Sequence, residues 1–347
     1  FELIDHVSYI KGSHTLQFGG NYDRETKTQN NNNPNNNGSF AFDGSASGDA
    51  LADILLGRVF QYTESSTHLS GTAMFHDFGW YAQDRWHPDP RLTLTYGVRY
   101  EFFQPERDTN GTMSYFDAGR FNFANAATVQ TNGQIVPGTE NFSNGIVVVG
   151  KDSPYGYALT NSVKNSFAPR VGLSYSATKD NLTVIRAGYG IFHDRWPVYA
   201  SQARRNFPFN QSVSIFNTTL SNPAQGNLRV FPAAVINFSS PWDIPYLHKW
   251  SIGVQRQLPA DFLIDVGYVG SEDCISLDHR HQPAKAKAIV ASGQASPNAV
   301  DPSGFASISS YVTDGNTNYQ SLQVSAVRVL WSFSVQSAYT WRRQWTT

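Results

Sequence analysis

Apolar and polar residues alternate strictly along many segments of this sequence, as expected for β-strands whose two faces meet different surroundings. The clearest segment runs from Arg91 to Phe103. Its first face carries large apolar or aromatic residues, namely Leu92, Leu94, Tyr96, Val98, Tyr100 and Phe102. Its second face carries small, polar or charged residues, namely Thr93, Thr95, Gly97, Arg99 and Glu101. The pattern predicts a strand that separates an apolar environment from a polar one.

Repeats of this alternation predict an all-β protein of about ten antiparallel strands, paired as hairpins. The turns within the hairpins are short and rich in the Gly, Pro, Asn and Asp that turns favour. They lie at Lys11 to Ser13, Asp89 to Arg91, Lys179 to Asn181, Pro259 to Asp261 and around Leu330. The connections between hairpins are long, covering Thr26 to Phe75, Gln104 to Ser166, Arg195 to Tyr246 and Ser271 to Asn318.

Short turns on one edge of a sheet and long loops on the opposite edge are typical of the β-barrels of bacterial outer membranes. Loops of more than about 15 residues are uncommon in compact soluble domains. We therefore predict a partial antiparallel transmembrane β-barrel with short periplasmic turns and long extracellular loops.

Four segments inside the predicted loops have patterns of their own. The tract Asn30 to Asn37 is polar and of low complexity, so we expect solvated chain there. Gly48 to Leu56 places apolar residues at helical spacing before a glycine, which predicts a short helix. Phe60 to His68 and Gln211 to Phe216 are interpreted as strand extensions above the membrane, because further spans would break the parity of the hairpins.

The composition supports a membrane barrel and excludes several other classes. Charged residues make up 15% of the chain, against roughly 25% in soluble domains, and aromatic residues 14%, which suits a lipid-facing surface with aromatic girdles. The 26 basic and 27 acidic residues leave no excess of positive charge for a nucleic-acid backbone. No apolar run approaches the roughly 18 to 20 residues of a transmembrane helix. Cys274 is the single cysteine, so an internal disulfide is excluded.

Both ends of the sequence lie beside strand-like segments. Phe1 opens without a Met, a basic region or an apolar region of the kind that marks a secretory signal. We therefore expect residues 1–347 to be an internal fragment of a barrel domain, without its signal peptide. We also expect an open sheet, with unpaired edge strands near Leu3 and Trp341.

Ten short segments carry a family resemblance over nearly the whole chain. They are KGSHTLQFGG from Lys11, ADILLG from Ala52, YAQDRW from Tyr81, PRLTL from Pro90, GVRYE from Gly97, FAPR from Phe167, IRAGYGIF from Ile185, WSIGVQR from Trp250, GYVGS from Gly267 and DGNTNY from Asp314. In this order and spacing they resemble the barrel of the Oar-like subgroup of TonB-dependent receptors. That subgroup is common in Acidobacteria and often carries a carboxypeptidase-regulatory-like domain.

The resemblance implies a receptor in the outer membrane of a Gram-negative-type bacterium that takes up a large or scarce substrate. It implies a barrel of about 22 strands, filled by the receptor's own plug and energised by the TonB–ExbB–ExbD system. The implied partners also include outer-membrane lipid and an extracellular ligand. Compared with that family, we expect the plug, the TonB box and the terminal strands to lie outside this fragment, so energy coupling rests on the resemblance alone.

Two other functions stay open beside the transporter. A passive porin or a structural outer-membrane protein would share the barrel, and the presence of a plug would discriminate between them. A secreted soluble β-protein that binds carbohydrate is the third alternative. Against it stand the aromatic outward faces and the lack of paired acidic residues in a recognisable motif.

Motifs of catalysis and cofactor binding were sought without success. The sequence contains neither HExxH nor GxxxxGK[ST], and Gly44 to Gly48 has Ala where a nucleophile elbow needs Ser. His279 and His281 supply two imidazoles without a third ligand nearby. We therefore predict no enzyme, no catalytic residue, no metal site and no cofactor.

Six residues on the polar sides of predicted strands are candidates for the barrel interior. Charged groups at membrane depth should line a wet or protein-filled interior, where they would contact substrate or plug. The candidates are Arg99, Glu101, Arg170, Arg186, Gln255 and Asp265. The alternative is that they pair with one another and with the plug to hold the barrel together.

Six aromatic residues in or beside the long loops are candidates for substrate binding. Aromatic rings stack on sugars and grip large ligands. The candidates are Trp196, Tyr199, Trp242, Tyr246, Tyr155 and Tyr157. The alternative is that these rings pack the loops together or belong to the outer aromatic girdle.

Overall fold

The computed structural model describes residues 1–30, 35–196, 200–238, 242–281, 304–330 and 333–346. Strands account for most of the regular structure. They are β1 (Glu2–Lys11), β2 (His14–Asn30), β3 (Ser39–Ala41), β4 (Arg58–Ser65), β5 (Ser70–Asp89), β6 (Leu92–Phe103), β7 (Arg107–Asp108), β8 (Ser114–Phe116), β9 (Ile146–Val148), β10 (Phe167–Ser176), β11 (Thr183–His193), β12 (Ser212–Thr219), β13 (Asn227–Arg229), β14 (Ala234–Phe238), β15 (Tyr246–Leu258), β16 (Phe262–His281), β17 (Ser307–Leu330) and β18 (Phe333–Thr346). The helices are α1 (Ala50–Leu56) and α2 (Ala200–Ala203), with 3-10 turns at Phe123–Asn125 and Pro223–Gln225.

Ten long strands form one antiparallel sheet, in the order β1, β2, β5, β6, β10, β11, β15, β16, β17 and β18. The five predicted hairpins are all present, which confirms the predicted strand count and pairing. In the hairpin between β15 and β16, Ala260 and Asp261 have φ values of 64° and 59°. Both residues thus have left-handed backbone, and the register joins Leu258 to Phe262 around this short connection.

The long sheet is open in the part of the chain that is described. There β1 pairs only with β2, and β18 pairs at its other end only with β17. This agrees with the expected open arc. The backbone donors and acceptors on the outer sides of β1 and β18 are therefore available for pairing with another strand.

The strand register places apolar residues on one face of the long sheet and polar residues on the other. Tyr96 of β6 lies opposite Val171 of β10, which in turn lies opposite Tyr189 of β11. Val171 and Ile252 are 52% and 55% exposed, although they lie in the middle of the sheet. We call this side the apolar face. A soluble protein would bury such a face, because contiguous exposed apolar surface is unfavourable in water.

Asp84 is a carboxylate on the apolar face, near the edge with the short turns. The side chain of Asp84 is 7% exposed, and its Oδ2 lies 2.6 Å from Nδ1 of His14. Tyr96 donates a hydrogen bond to the same oxygen at 2.9 Å. The ring of His14 stacks on Trp86, with 5.4 Å between ring centroids. His14 and Tyr96 thus supply hydrogen-bond partners for Oδ2 of Asp84 within the apolar face.

The opposite side, which we call the polar face, depends on glycines where strands approach closely. A Cβ on Gly97 would lie 2.5 Å from Cβ of Gln83 and 2.6 Å from the carbonyl oxygen of Ala82. We expect Gly97→Ala to lower the stability of the barrel by about 1–3 kcal/mol, because backbone must shift to make room. The measurement is the thermal unfolding midpoint in detergent.

Gly172→Ala is the matched control for this prediction. Gly172 lies on the same face in the neighbouring strand, and the nearest atoms to its added Cβ are 3.9 Å away. We expect its unfolding midpoint to stay near that of the unmodified protein. Equal midpoints for the two alanine variants would contradict the close packing at Gly97.

The long connections fold together into what we call the loop layer: α1, α2, β3, β4, β7, β8, β9 and β12 to β14. It is joined to the long sheet where β7 pairs with β5 and where β14 runs parallel to residues 307–311 of β17. It contains a four-stranded sheet in the order β13, β12, β4, β3 and a two-stranded sheet of β8 and β9. β4 and β12 coincide with two predicted strand segments, but they pair with each other across the loops. The interpretation of those segments as extensions of the membrane strands is therefore wrong.

The predicted helix in the first loop is confirmed as α1. Asp49 caps its first turn, accepting hydrogen bonds at 2.9 Å from the backbone N–H groups of Leu51 and Ala52. Gly57 ends it with a φ of 68°. A side-chain acceptor at the start and a left-handed glycine at the end are the local signals that define a short helix.

Several predicted loop boundaries are wrong because strands run farther than the alternation indicated. β16 and β17 stay paired up to His281 and Ser309, well inside the predicted loop Ser271 to Asn318. β2 likewise continues to Asn30, where it pairs with Ser70 of β5. In these extensions neither face of the strand has to be apolar. The backbone still pairs, but the sequence no longer alternates between apolar and polar residues. Within the predicted tract Asn30 to Asn37, residues 31–34 lie outside the described residues.

None of the helices in the described ranges is long and apolar enough to cross a membrane.

Candidate functional site

The six polar candidates all lie on the polar face of the long sheet. The register links them across adjacent strands: Arg170 pairs with Gly97, two residues from Arg99, and Gln255 pairs with Asp265. Arg186 pairs with Gly253, two residues from Gln255 on the same face. The structure therefore places these six side chains on one face of the sheet, as the alternation predicted.

Arg99 is the centre of a polar group on this face. Its Nε donates to Oε1 of Glu101 at 2.8 Å, and its Nη2 donates to Oδ1 of Asn21 at 2.9 Å. Asn21 lies in β2, so the arginine reaches across the whole width of β5. Gly79 permits this reach, because a Cβ there would lie 2.8 Å from the Asn21 oxygen. Strands β2 and β6 are thus joined across β5 by a charge-assisted hydrogen bond.

The remaining candidates on the polar face each form few side-chain contacts. Nη1 of Arg186 donates to Oε1 of Gln255 at 2.7 Å. The guanidinium of Arg170 lies 4.3 Å from the ring centroid of Phe192. Asp265 lies opposite Gln255 and Ser325. The pairs agree with the alternative in which these residues hold the barrel together, and contact with a plug or substrate stays a prediction.

A shallow cavity of about 440 Å³ lies on the polar face beside Arg99 and Arg170. Gly97 and Gly172 form part of its floor, and Tyr81, Gln83 and Thr95 also line it. The cavity exists because these glycines leave the sheet surface without side chains. It is a place where a polar group from inside the barrel would fit.

Two of the loop aromatics are packed together in the loop layer. Trp242 is 9% exposed and its ring centroid lies 5.3 Å from that of Trp196. Trp196 donates its indole N–H to the backbone oxygen of Asp243 at 2.8 Å. Trp242 belongs to a hydrophobic cluster that includes Phe238 and Val147. Their surroundings favour the alternative in which these rings pack the loops.

The other loop candidates are spread over several places. Tyr157 is 41% exposed and lies against Gly150, whereas Tyr155 is half-buried. Tyr246 begins β15 and lies near His248, with 5.3 Å between ring centroids. Tyr199 lies outside the described residues. The described candidates therefore do not form one aromatic cluster, and substrate contact by any of them stays a prediction.

An ion pair that joins the third loop to the long sheet was missed by the sequence reasoning. Nε of Arg195 donates to Oδ2 of Asp77 at 2.6 Å, and its Nη2 contacts the other carboxylate oxygen. Nη2 also donates to the backbone oxygen of Gln104 at 2.9 Å, and the guanidinium lies 3.9 Å from the ring centroid of Phe75. Arg195 and Asp77 are 118 residues apart, so no local pattern could have indicated this bidentate contact.

A second missed pair is buried within the loop layer. Nη2 of Arg204 lies 3.6 Å from Oδ1 of Asp108, with side-chain exposures of 1% and 0%. Asp108 also accepts hydrogen bonds from the backbone N–H and the hydroxyl of Thr112, at 2.7 and 2.6 Å. The pair connects the region after α2 to β7. Because both side chains are fully buried, loss of either one would leave the charge of the other without a partner.

Among the described residues, no group of three His, Cys, Asp or Glu side chains is arranged to hold a metal ion.

Comparison with known proteins identifies the architecture. A family model described as an outer membrane beta barrel domain matches residues 1–347. The structure of the outer membrane transporter YddB from Escherichia coli is similar, with a TM-score of 0.55 and 13% identity, over 99% of this chain and 34% of that chain. The FrpB iron transporter from Neisseria meningitidis gives a TM-score of 0.48 and 11% identity, over 99% of this chain and 36% of that chain. No curated protein matches. The chain thus spans about a third of the length of these transporters.

Proposed function

Because the chain belongs to the outer membrane beta barrel domain family, we propose that it forms part of the barrel of a TonB-dependent transporter or receptor, of the Oar-like subgroup. The chain lies in the outer membrane. The observation that carries the proposal is the polar face, where Arg99 joins Glu101 and Asn21 at hydrogen-bond distance. Charged groups at membrane depth need a polar interior, and a plug domain supplies one.

The proposal includes partners beyond the described chain. The outer sides of β1 and β18 would pair with further strands of a longer barrel, because lipid cannot satisfy free backbone groups. The plug would occupy the space over the polar face, beside the cavity at Gly97. The TonB system would supply the energy, and the loop layer would receive an extracellular ligand. The aromatic candidates would then contact ligand only where they are exposed, as Tyr157 is.

Conductance of the intact protein tests this proposal against a passive pore. The protein is produced from its complete gene, purified in detergent and inserted into a planar bilayer. A plugged transporter is expected to stay closed, and removal of the plug segment is expected to open a stable conductance. A constitutively open channel would favour the porin instead.

The proposed orientation predicts which side of the membrane each edge of the sheet faces. In a background in which Cys274 is replaced by serine, Thr131→Cys in the second long loop is expected to react with an impermeant maleimide on intact cells. Thr131 is exposed, so access does not depend on unfolding. Lys179→Cys, in the exposed turn between β10 and β11, is expected to react only after lysis. The opposite result would show an inverted topology.

A further inference from the structure

A cavity of about 580 Å³ lies inside the loop layer, away from the polar face of the barrel. It is partly open and is bounded by β12, β13, β14, the residues after α2 and the start of β17. Its volume is within the range of about 300–1,000 Å³ that is usual for small-molecule sites. The walls come from residues distant in sequence, as Ser214 of β12 and Tyr311 of β17 illustrate.

The charge on the cavity walls is positive. Arg205 and Arg229 both line it, and none of the described lining residues is Asp or Glu. Burial lowers the pKa of Arg205, but the pKa of an arginine starts so high that the group stays charged at neutral pH. Among the described residues, Arg229 forms no ion pair. The cavity therefore offers cationic hydrogen-bond donors to an anion.

Arg229 is held in place by an aromatic ring. Its guanidinium lies 4.3 Å from the ring centroid of Phe216, which is 5% exposed. Phe216 is fixed in turn by Phe60 and Phe231, at centroid distances of 5.4 and 5.8 Å. A guanidinium resting on a buried ring keeps its edge available for a planar acceptor.

Amide donors adjoin the same cavity. Asn210 is 2% exposed, and its Oδ1 accepts a hydrogen bond from Ser65 at 2.7 Å. That contact directs the amide group so that Nδ2 is left as a donor. Nδ2 of Asn210 and Nε2 of Gln211 are buried without a hydrogen-bond partner among the described residues. Both nitrogens are inaccessible to solvent, so the groups that face an anion in the cavity are the arginines and not these amides.

Most of the remaining wall is apolar. It includes Phe142, Val213, Leu228, Val230, Phe231 and Val235. Such a wall suits a ligand that carries an apolar or aromatic body behind a small charged group. A phosphate ester with a strongly hydrated body would leave this surface uncovered.

We propose that this cavity binds a carboxylate with an apolar or aromatic body, the carboxylate on Arg229 and the body against the apolar wall. The ligand is a free organic acid or the C-terminal residue of a peptide, which present the same chemistry. This inference deepens the proposed function by giving the substrate class received on the extracellular side.

The test is calorimetric titration of the intact protein in detergent with two pairs of probes. Phenylacetate and phenylacetamide represent the free acid, and N-acetyl-Gly-Gly-Phe with a free or an amidated C-terminus represents the peptide. We expect the carboxylate of at least one pair to bind about tenfold or more tighter than its amide, since an interaction with a charged group is lost. Which pair discriminates identifies the source. Equal affinity of acid and amide, or no binding of either acid, would overturn the proposal.

Two arginine substitutions locate the binding. Arg229→Gln is expected to weaken acid binding about tenfold or more, and Arg229→Lys is expected to restore part of it. Arg120→Gln is the matched control, because Arg120 lies in the loops, pairs with Asp117 and does not line the cavity. If Arg120→Gln weakens binding as much as Arg229→Gln does, the cavity assignment is wrong. If Arg229→Gln misfolds, the comparison of acid and amide probes on the unmodified protein still tests whether the cavity binds a carboxylate.

Failure of this inference is distinguishable from failure of the proposed function. Acid-selective binding by a protein that forms an open channel would refute the plugged transporter and leave the cavity assignment intact. A closed, plug-dependent channel without acid binding would refute the cavity assignment alone.

Discussion

Val254→Arg is expected to reduce the yield of assembled barrel in the outer membrane strongly, whereas Ser251→Arg in the same strand is expected to be tolerated. Val254 is 43% exposed on the apolar face, where it lies between Ile185 and Val266. A charged arginine on the lipid side costs about 2–4 kcal/mol near the bilayer midplane. Ser251 lies on the polar face, opposite Gly188 and Val269.

The yield is measured by comparing the electrophoretic mobility of boiled and unboiled membranes, which separates folded from unfolded barrel. Both variants introduce the same side chain into β15, so the size and charge of the new residue are matched. Equal yields from the two variants would remove the assignment of the apolar face to lipid.

Arg204→Met is expected to destabilise the loop layer by about 3–5 kcal/mol, because it leaves the buried charge of Asp108 without its partner. The two side chains are 1% and 0% exposed. Asp108 keeps its hydrogen bonds from Thr112, but these do not neutralise the carboxylate. We expect faster proteolysis of the loops and a lower unfolding midpoint.

Arg120→Met is the control, since Arg120 and Asp117 are also 3.6 Å apart but are 46% and 40% exposed. An exposed pair contributes about 0–1 kcal/mol, so this variant should digest at the rate of the unmodified protein. If both methionine variants are equally resistant to protease, the Arg204 pair is not needed to hold the loop layer.

The candidate site was only partly accessible from the sequence. Alternation placed Arg99 and Arg186 on the polar face, because residues two apart in a strand share a face. Their hydrogen-bond partners could not be predicted without the strand order and register. Asn21 contacts Arg99 only because β2 and β6 both flank β5. The Trp196–Trp242 contact also depends on loop folding, which no periodicity predicts.

By itself the sequence determined the ten long strands, their hairpins, their two faces and helix α1. These features depend on local signals, namely a period of two, turn residues and helix caps, which act between residues close in the chain. Only the tertiary structure decided the loop layer, the full length of β16 and β17, and the contacts Arg195–Asp77 and Arg204–Asp108. Those contacts join residues about 100 positions apart and involve single polar groups without periodicity, so they exist only once the loops have folded together.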